Sequence, residues 1–208
     1  MRFGPSTFRK KGGPEGFNES TDRRFLRHPG RVGALWPSSP SLCRMMVSRI
    51  GVEQAKLVVE LGPGTGVITR EIIRMLPAGG RFMAVELDEL LCLQLRRNFP
   101  GVEILHDSAS RLAEILRERR LPPADAIISG LPWAVFPESL QREILNAVAG
   151  SLAPDGWFTT FAYLQGLMLP AGMRFRRLLG ETFGEVLTSS VVWRNLPPAF
   201  VYRCRSRE

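Results

Sequence analysis

The sequence predicts a doubly wound α/β fold, in which helices cover both faces of a mostly parallel sheet. From residue 56 onward, short apolar runs alternate with segments whose apolar residues recur at helical spacing. The last two apolar runs, 185–193 and 200–205, are too close together for a crossover helix, so we expect them to pair antiparallel. A series of βα units that ends in such a pair is typical of this fold class.

The predicted elements follow in chain order. Parallel strands are expected at 56–61, 81–87, 102–106, 124–129 and 157–164. Helices are expected at about 67–76, 88–99, 110–119 and 137–152, with another after residue 171. Pro77 should stop the first of these helices, Asp88 should cap the second, and Pro154-Asp155-Gly156 should form a turn before the fifth strand.

The 208 residues divide into three predicted segments. Residues 1–16 are rich in Gly, Pro and basic side chains and are predicted to be a disordered basic tail. Residues 17–55 are predicted to form a basic, amphipathic helical arm, and residues 56–208 to form the main domain. The net charge is +7 over 1–50, −3 over 51–160 and +4 over 161–208. Basic flanks of this kind favour an anionic surface or polymer as a partner.

The arm contains two helical patterns with different expected roles. Ser39 is a predicted N-cap with Pro40 at the first helical position. The helix over 40–50 is expected to pack on the sheet, the alternative being an amphipathic helix that faces a membrane. Residues 18–36 place Phe25, Leu26 and Trp36 among several arginines. An apolar stripe beside basic residues is typical of a helix that lies on a membrane surface. These three side chains are therefore the predicted membrane contacts.

Cysteine usage indicates the compartment. The three cysteines lie far apart and include no C-x-x-C pair, which argues against a disulfide framework or a zinc site. No other cluster with metal-ligand spacing is present in the sequence, so no metal is predicted. Together with the basic arm, these observations predict a cytoplasmic chain that is peripherally associated with the inner face of the cell membrane.

The stretch LVVELGPGTGVITR, residues 57–70, organises the predicted site. Glu60 ends an apolar strand, and Gly62, Gly64 and Gly66 then alternate before a helix begins. A sharp strand-to-helix turn needs glycine, because a Cβ would block both the turn and the approach of a ligand. The helix N-terminus beyond it offers unpaired N–H groups. The E-x-G-x-G-x-G pattern resembles motif I of the S-adenosylmethionine-dependent methyltransferases.

Polar residues also follow the next three parallel strands. Glu86 ends the second strand, where an acid can accept hydrogen bonds from two ribose hydroxyls. Asp107 follows the third strand, and Ser129-Gly130-Leu131-Pro132-Trp133 follows the fourth. Because ligands of doubly wound sheets bind at the carboxyl ends of the strands, these positions are expected to lie around one site.

From about residue 24 to residue 203, the chain resembles the soluble, peripheral-membrane class of bacterial phospholipid N-methyltransferases. The segments that carry the resemblance are GALWPSS, VVELGPGTGVIT, VELD, SGLPW and VWRNLPPAFVYR. The resemblance implies a Rossmann-like class I methyltransferase fold, S-adenosylmethionine as methyl donor, S-adenosylhomocysteine as its product, and a phospholipid acceptor. The implied reaction methylates phosphatidylethanolamine and its mono- and dimethyl forms toward phosphatidylcholine.

The implied cofactor residues come from the four strand ends. The glycine loop would surround the methionine part, the acid after the second strand would bind the ribose, and the third strand end would lie near adenine. The predicted cofactor-binding residues are Glu60, Gly62, Pro63, Gly64, Thr65, Gly66, Glu86, Leu87, Asp107, Ser108, Ala109, Gly130 and Leu131.

The main alternative is an RNA adenine N6-methyltransferase, whose motif I is nearly the same. That family places Asn-Leu-Pro-aromatic after strand four, where the amide holds the adenine amine. Here the Asn position is Gly130, which has no side-chain acceptor, and we expect no room after Glu208 for that family's helical RNA-binding domain. A lipid acceptor is therefore favoured over nucleic acid. A methyltransferase with a small-molecule acceptor is a third possibility, for which the basic flanks are unnecessary.

Two residues are candidates for contact with the acceptor. Tyr163, at the end of strand five, could contact the amine or lipid phosphate, or be an ordinary core tyrosine. Arg194 could bind the phosphate by bidentate contacts, or be a surface arginine beside a turn. Trp133 is predicted to give the methylated amine an aromatic surface. His28 and His106 are poorly placed to act as a base.

Overall fold

The structure is a computed structural model that describes residues 38–206. The predicted basic tail, the first part of the arm and the membrane contacts Phe25, Leu26 and Trp36 lie outside the described residues. The division into a tail, an arm and a main domain therefore stays a prediction.

One seven-stranded sheet forms the centre of the described chain, with the strand order β3-β2-β1-β4-β5-β7-β6. Strands β1 to β5 are parallel, and β7 runs antiparallel to both of its neighbours, β5 and β6. This confirms the predicted fold class and the antiparallel closing pair. The strands are β1 Leu57–Leu61, β2 Arg81–Glu86, β3 Glu103–His106, β4 Ala124–Ser129, β5 Leu152–Tyr163, β6 Glu185–Thr188 and β7 Ala199–Arg205.

The described chain includes six α-helices: α1 Pro40–Val47, α2 Val67–Met75, α3 Glu89–Asn98, α4 Leu112–Glu118, α5 Glu138–Ala149 and α6 Pro170–Thr182. The predicted caps are present: the Ser39 side chain accepts a hydrogen bond from the Leu42 N–H, and Asp88 accepts one from the Leu91 N–H. No helix within residues 38–206 is long and apolar enough to cross a bilayer.

The core consists of two apolar layers, one on each face of the sheet. Strand β1 is buried on both faces, with Val58 on one side and Val59 on the other. Helices α1, α2 and α3 pack on the Val58 side, and α4, α5 and α6 pack on the Val59 side. A parallel strand covered on both faces is a continuous apolar run, which explains why β1 was recognisable from its sequence.

Helix α1 is held against the sheet by polar contacts as well as by its buried apolar face. Thr159 Oγ1 of β5 donates to the Met46 carbonyl over 3.0 Å. The buried Arg203 guanidinium of β7 donates to the carbonyls of Met45 and Ser48, at 2.9 and 3.1 Å. A cation at the carboxyl end of a helix satisfies its last carbonyls and its dipole. The predicted packing of residues 40–50 on the sheet is thus confirmed.

Two predicted strand boundaries differ from the structure by more than one residue and were wrong. Strand β5 begins at Leu152 rather than 157, because Pro154-Asp155-Gly156 forms an irregularity within the strand instead of a turn before it. Asp155 has a positive φ of 65°, and a Cβ on Gly156 would lie 2.8 Å from the Ala153 carbonyl oxygen. Strand β6 ends at Thr188 rather than 193, and residues 189–198 form a loop beside β7.

Candidate active site

The sheet brings the predicted cofactor residues to one edge. Beyond the carboxyl ends of the strands the ladder continues by one hydrogen bond on each side: Gly62 N–H donates to the Val85 carbonyl, and Gly130 N–H donates to the Leu61 carbonyl. Asp107 N–H donates in the same way to the Glu86 carbonyl. These bonds fix the loops after β1, β2, β3 and β4 side by side, as expected for the ligand-binding edge of a doubly wound sheet.

All three glycines of the loop have left-handed backbone, with φ of 66° at Gly62, 57° at Gly64 and 82° at Gly66. A side chain at any of them would be strained. A Cβ on Gly66 would collide with the Phe99 ring at 2.3 Å, whereas one on Gly64 would meet no atom within 4 Å. Gly66 is therefore needed for packing below the loop, and Gly64 faces open space where a ligand can approach.

Glu60 is completely buried beneath the glycine loop. Its Oε2 accepts a hydrogen bond from Thr69 Oγ1 over 2.7 Å, and Oε1 has no partner among the described residues. Burial raises the pKa of this carboxyl from 4.5 to about 8; the Thr69 bond opposes that shift, and the Glu86 carboxylate adds to it. A buried carboxyl oxygen without a partner is costly unless a ligand supplies one.

Glu86 holds the loops after β1 and β2 together. Its Oε2 accepts a hydrogen bond from Gly64 N–H over 3.1 Å, and its Oε1 accepts from the N–H groups of Leu87 and Asp88 at 2.8 and 3.0 Å. The residue is buried, with 8% of its surface exposed. It can accept further hydrogen bonds from a polyhydroxyl ligand, since each carboxylate oxygen has two lone pairs.

Of the three residues predicted in the loop after β3, one contributes a polar side chain to the site. Asp107 Oδ1 accepts from Ser108 N–H over 2.7 Å, and Oδ2 pairs with Arg111 at 2.8 Å. Ser108 uses its hydroxyl to accept from Ser110 N–H, and Ala109 is buried in the core. Asp107 is thus the residue of this loop with carboxylate oxygens at the site edge, and the other two shape its backbone.

Gly130 and Leu131 form the side of the site next to β1. A Cβ on Gly130 would lie 2.6 Å from the Gly62 carbonyl oxygen, so this backbone accommodates only glycine there. The half-buried Leu131 side chain covers Gly62, and the Leu131 N–H donates to Ser129 Oγ over 3.3 Å. The loops after β1 and β4 therefore touch through their main chains.

The prediction that Trp133 offers an aromatic surface to the acceptor was wrong for this structure. The ring is only 3% exposed and stacks on Phe175 with 4.8 Å between ring centroids. Edge contacts with Phe136 and Phe158 enclose it further. Its Nε1–H donates to Ser129 Oγ over 3.1 Å, which satisfies its polar atom. Trp133 anchors the loop after β4 from below.

Tyr163 and Arg194 lie on the same edge of the sheet as the glycine loop. Tyr163 ends β5, is half-buried, and packs edge-on against Phe161; burial raises the pKa of its phenol. Arg194 is exposed in the loop between β6 and β7. Because β6 runs in the same direction as β5, this loop also emerges at the carboxyl edge.

Sequence reasoning missed the role of Asn195. Its Oδ1 accepts from Ser39 N–H over 2.9 Å, and its Nδ2 donates to the Pro197 carbonyl over 2.7 Å. The side chain is buried and joins the β6–β7 loop to the start of α1, 156 residues earlier in the chain. The position of this amide in the loop segment WRNLPPA could have suggested the role, since a loop amide that both donates and accepts hydrogen bonds is typical of a structural brace.

The residues at this edge fit S-adenosylmethionine. The open face of Gly64 leaves room for a ligand, the orphaned Glu60 Oε1 can pair with a cationic group, and Glu86 and Asp107 offer carboxylate oxygens. Within residues 38–206, no group of three or more His, Cys, Asp or Glu side chains is arranged to hold a metal ion.

Curated proteins with related sequences are methyltransferases. The chain is 35% identical to an ornithine lipid N-methyltransferase of Singulisphaera acidiphila over 185 residues, which cover 88% of this chain and 92% of that protein. It is 31% identical to a ribosomal RNA small subunit methyltransferase A of Gloeobacter violaceus over 153 residues, which cover 69% of this chain and 51% of that protein. No family model matches the sequence.

Solved structures share the fold. An O-methyltransferase from Bacillus cereus in complex with SAH superposes with a TM-score of 0.66 and 16% identity, covering 90% of this chain and 91% of that one. The N-methyltransferase NodS from Bradyrhizobium japonicum superposes with a TM-score of 0.60 and 12% identity, covering 90% and 99%. With the near full-length relative above, these likenesses show that this chain belongs to the S-adenosylmethionine-dependent methyltransferases and uses that cofactor.

Proposed function

We propose that this protein transfers a methyl group from S-adenosylmethionine to the amine of a membrane lipid. The observation that carries the proposal is the 35% identity, over nearly the whole of both chains, to a protein named as an ornithine lipid N-methyltransferase. The two candidate acceptors are ornithine lipid, from that relative's name, and phosphatidylethanolamine with its partly methylated forms, from the sequence resemblance. Both present an amine beside an acidic group.

The residues at the carboxyl edge suit methyl transfer to such an acceptor. When bound, the cofactor supplies an electrophilic methyl group on its sulfonium. Positioning and exclusion of water then account for most of the catalytic gain. The raised pKa of Tyr163 keeps its phenol protonated at neutral pH, so we assign it hydrogen bonding to the acceptor rather than proton abstraction. The exposed Arg194 guanidinium is assigned to the acidic group of the lipid.

An RNA adenine methyltransferase is the second candidate, because several curated relatives modify ribosomal RNA. The matches cover about half or less of those proteins. The Gly130 backbone also argues against this function, since a side chain there would meet the Gly62 carbonyl at 2.6 Å. An asparagine that holds an adenine amine therefore has no place in this loop.

We further propose that the protein acts at the inner face of the cell membrane. The basic N-terminal segment, with a net charge of +7 over residues 1–50, suits an anionic leaflet. The three cysteines are free and buried, which is compatible with a reducing compartment.

The proposal is tested with radiolabelled S-adenosylmethionine and three separate acceptors: vesicles with phosphatidylethanolamine, vesicles with ornithine lipid, and ribosomal RNA. We expect label in extracted lipid, and comparison of the two vesicle types identifies the acceptor. The Glu86→Ala variant is the control for cofactor-dependent labelling. Label in RNA alone would refute a lipid acceptor, and label in none of the three would favour a small molecule.

A further inference from the structure

The most exposed apolar side chains of the described residues gather at the edge of the sheet that carries the site. Six large apolar residues within 38–206 are more than half exposed, and five of them belong to the two loops after β5 and β6 or to the first turn of α6. The sixth, Leu90, follows β2 at the same edge. We call the surface formed by these five side chains the apolar rim: Met168, Leu169, Met173, Trp193 and Leu196.

These side chains are held out by an ordered backbone. The β6–β7 loop is braced by Asn195, whose N–H donates to the Val192 carbonyl and whose side chain donates to the Pro197 carbonyl. Leu164 N–H donates to the Pro198 carbonyl over 2.8 Å, which ties the loop after β5 to the same brace. The two loops therefore form one surface, with Trp193 71% exposed and Met168 84% exposed.

The charge of the rim favours a membrane as its partner. Residues 163–173 contain no charged side chain, and Arg194 is the only one within 186–202. A surface with tryptophan, methionine and leucine, no acid and one arginine is suited to the interface of an anionic bilayer. Acidic residues, which the leaflet would repel, are absent from both loops.

The position of α1 also supports a membrane as the partner of the rim. The bond from Ser39 N–H to Asn195 Oδ1 places the start of α1 against the β6–β7 loop. The described chain therefore begins beside the rim, at the residues to which the basic N-terminal segment is joined in sequence. Electrostatic attraction by that segment and apolar insertion of the rim can thus act on one membrane surface.

We propose that the apolar rim inserts into the bilayer interface and turns the carboxyl edge of the sheet, with the cofactor site, toward the lipid head groups. The inference rests on the proposed lipid function and names the surface that reaches the acceptor. A second copy of this chain, or its own residues 1–37, could cover the rim instead. In either case the rim would not bind vesicles.

The test measures flotation of the full chain with vesicles of phosphatidylcholine and anionic phosphatidylglycerol, which contain no amine acceptor. Docking and methyl transfer are then separate readouts, so failure of one does not imply failure of the other. The test variant is Trp193→Ser with Leu196→Ser, and the matched control is Ile73→Ser with Leu93→Ser, two exposed apolar residues on helices away from the rim. Thermal unfolding and cofactor binding verify that each variant is folded.

We expect the rim variant to lower the vesicle partition coefficient by roughly tenfold or more, and the control to leave it unchanged. The loss should persist at high salt, where attraction by the basic segment is screened. In a Trp36→Phe background, which removes the other predicted membrane-facing tryptophan, brominated lipid should quench the fluorescence, and the further substitution Trp193→Phe should remove most of that quenching. Unchanged flotation of the rim variant would overturn the proposal, as would a rim variant whose only change is the loss of a dimer in light scattering.

Discussion

The carbonyl oxygen of Gly62 lies 2.6 Å from the position that a Cβ would take on Gly130. The loops after β1 and β4 are therefore in main-chain contact beside the cofactor site.

Replacing Gly130 by alanine should force the two loops apart. We expect a loss of about 1–3 kcal/mol in the free energy of unfolding, as for other overpacked sites, and weaker cofactor binding. Chemical denaturation and calorimetry measure the two effects. Gly101→Ala is the control, since a Cβ there meets no atom within 4 Å. If the two variants had the same free energy of unfolding and the same cofactor affinity, the loops could separate without loss of stability.

Glu86→Gln should weaken cofactor binding. The substitution keeps the size of the side chain but replaces a charged acceptor of three backbone N–H groups by an amide. Hydrogen bonds to a charged group contribute about 1.5–3 kcal/mol, so we expect the dissociation constant for S-adenosylmethionine to rise by about tenfold or more. Calorimetric titration measures it, and Glu89→Gln, at an exposed position, should match the wild type.

Glu60 predicts a specific pH dependence of stability without cofactor. Its pKa rises from 4.5 to about 8 on folding, so the folded state binds this proton more tightly than the unfolded state. The associated stability is complete below pH 4.5 and is lost progressively as the pH rises to about 8.

Glu60→Gln should remove this component of the pH profile, because a neutral amide can still accept the Thr69 hydrogen bond and does not titrate. Thermal unfolding of both proteins between pH 4.5 and 8 tests this. Parallel profiles for the two proteins would show that Glu60 does not titrate in that range. In the wild type, saturating cofactor should flatten the profile, since a bound cation favours the ionised carboxylate.

Asn195→Ala should loosen the start of α1. The variant leaves the Ser39 N–H and the Pro197 carbonyl without their partner. We expect a loss of about 1–3 kcal/mol in unfolding free energy and faster hydrogen exchange at Ser39. The exposed Asn146→Ala is the matched control and should change neither quantity. Unaltered exchange at Ser39 in the Asn195 variant would contradict the bracing role.

Tyr163→Phe should lower kcat for the lipid acceptor by about tenfold, because a positioned hydrogen bond to the acceptor is lost. Cofactor affinity and stability should stay close to wild type, since the site is half-buried. Steady-state kinetics with the preferred acceptor and calorimetry with the cofactor separate these effects. A change in stability without a change in kcat would instead identify Tyr163 as a core residue.

The parallel half of the fold was predictable from the sequence because its strands are apolar on both faces and its loops carry turn residues. The ends of β1, β2, β3 and β4 were recognised for this reason, and the ladder brings the residues after them to one edge. The start of β5 was not recognised, because the sequence Pro154-Asp155-Gly156 is typical of a turn. Pairing with β4 nevertheless incorporates these residues into the strand.

The acceptor side was less predictable because it depends on contacts between distant residues. Trp133 looks like a ligand-facing aromatic in a loop, but its ring is buried by Phe175, which lies 42 positions later. Asn195 lies in a recognisable segment, yet its partner Ser39 is 156 residues away. Local patterns identify loops, and only the tertiary structure shows which side chains point inward.

The contacts of α1 determine when this helix becomes fixed during synthesis of the chain. Its polar partners across the sheet are Thr159, Asn195 and Arg203, all in the last quarter of the sequence. During synthesis, α1 therefore has no polar anchor until β5, β6 and β7 have left the ribosome. Helix α1 therefore gains its fixed orientation on the sheet late, only after the C-terminal strands have paired.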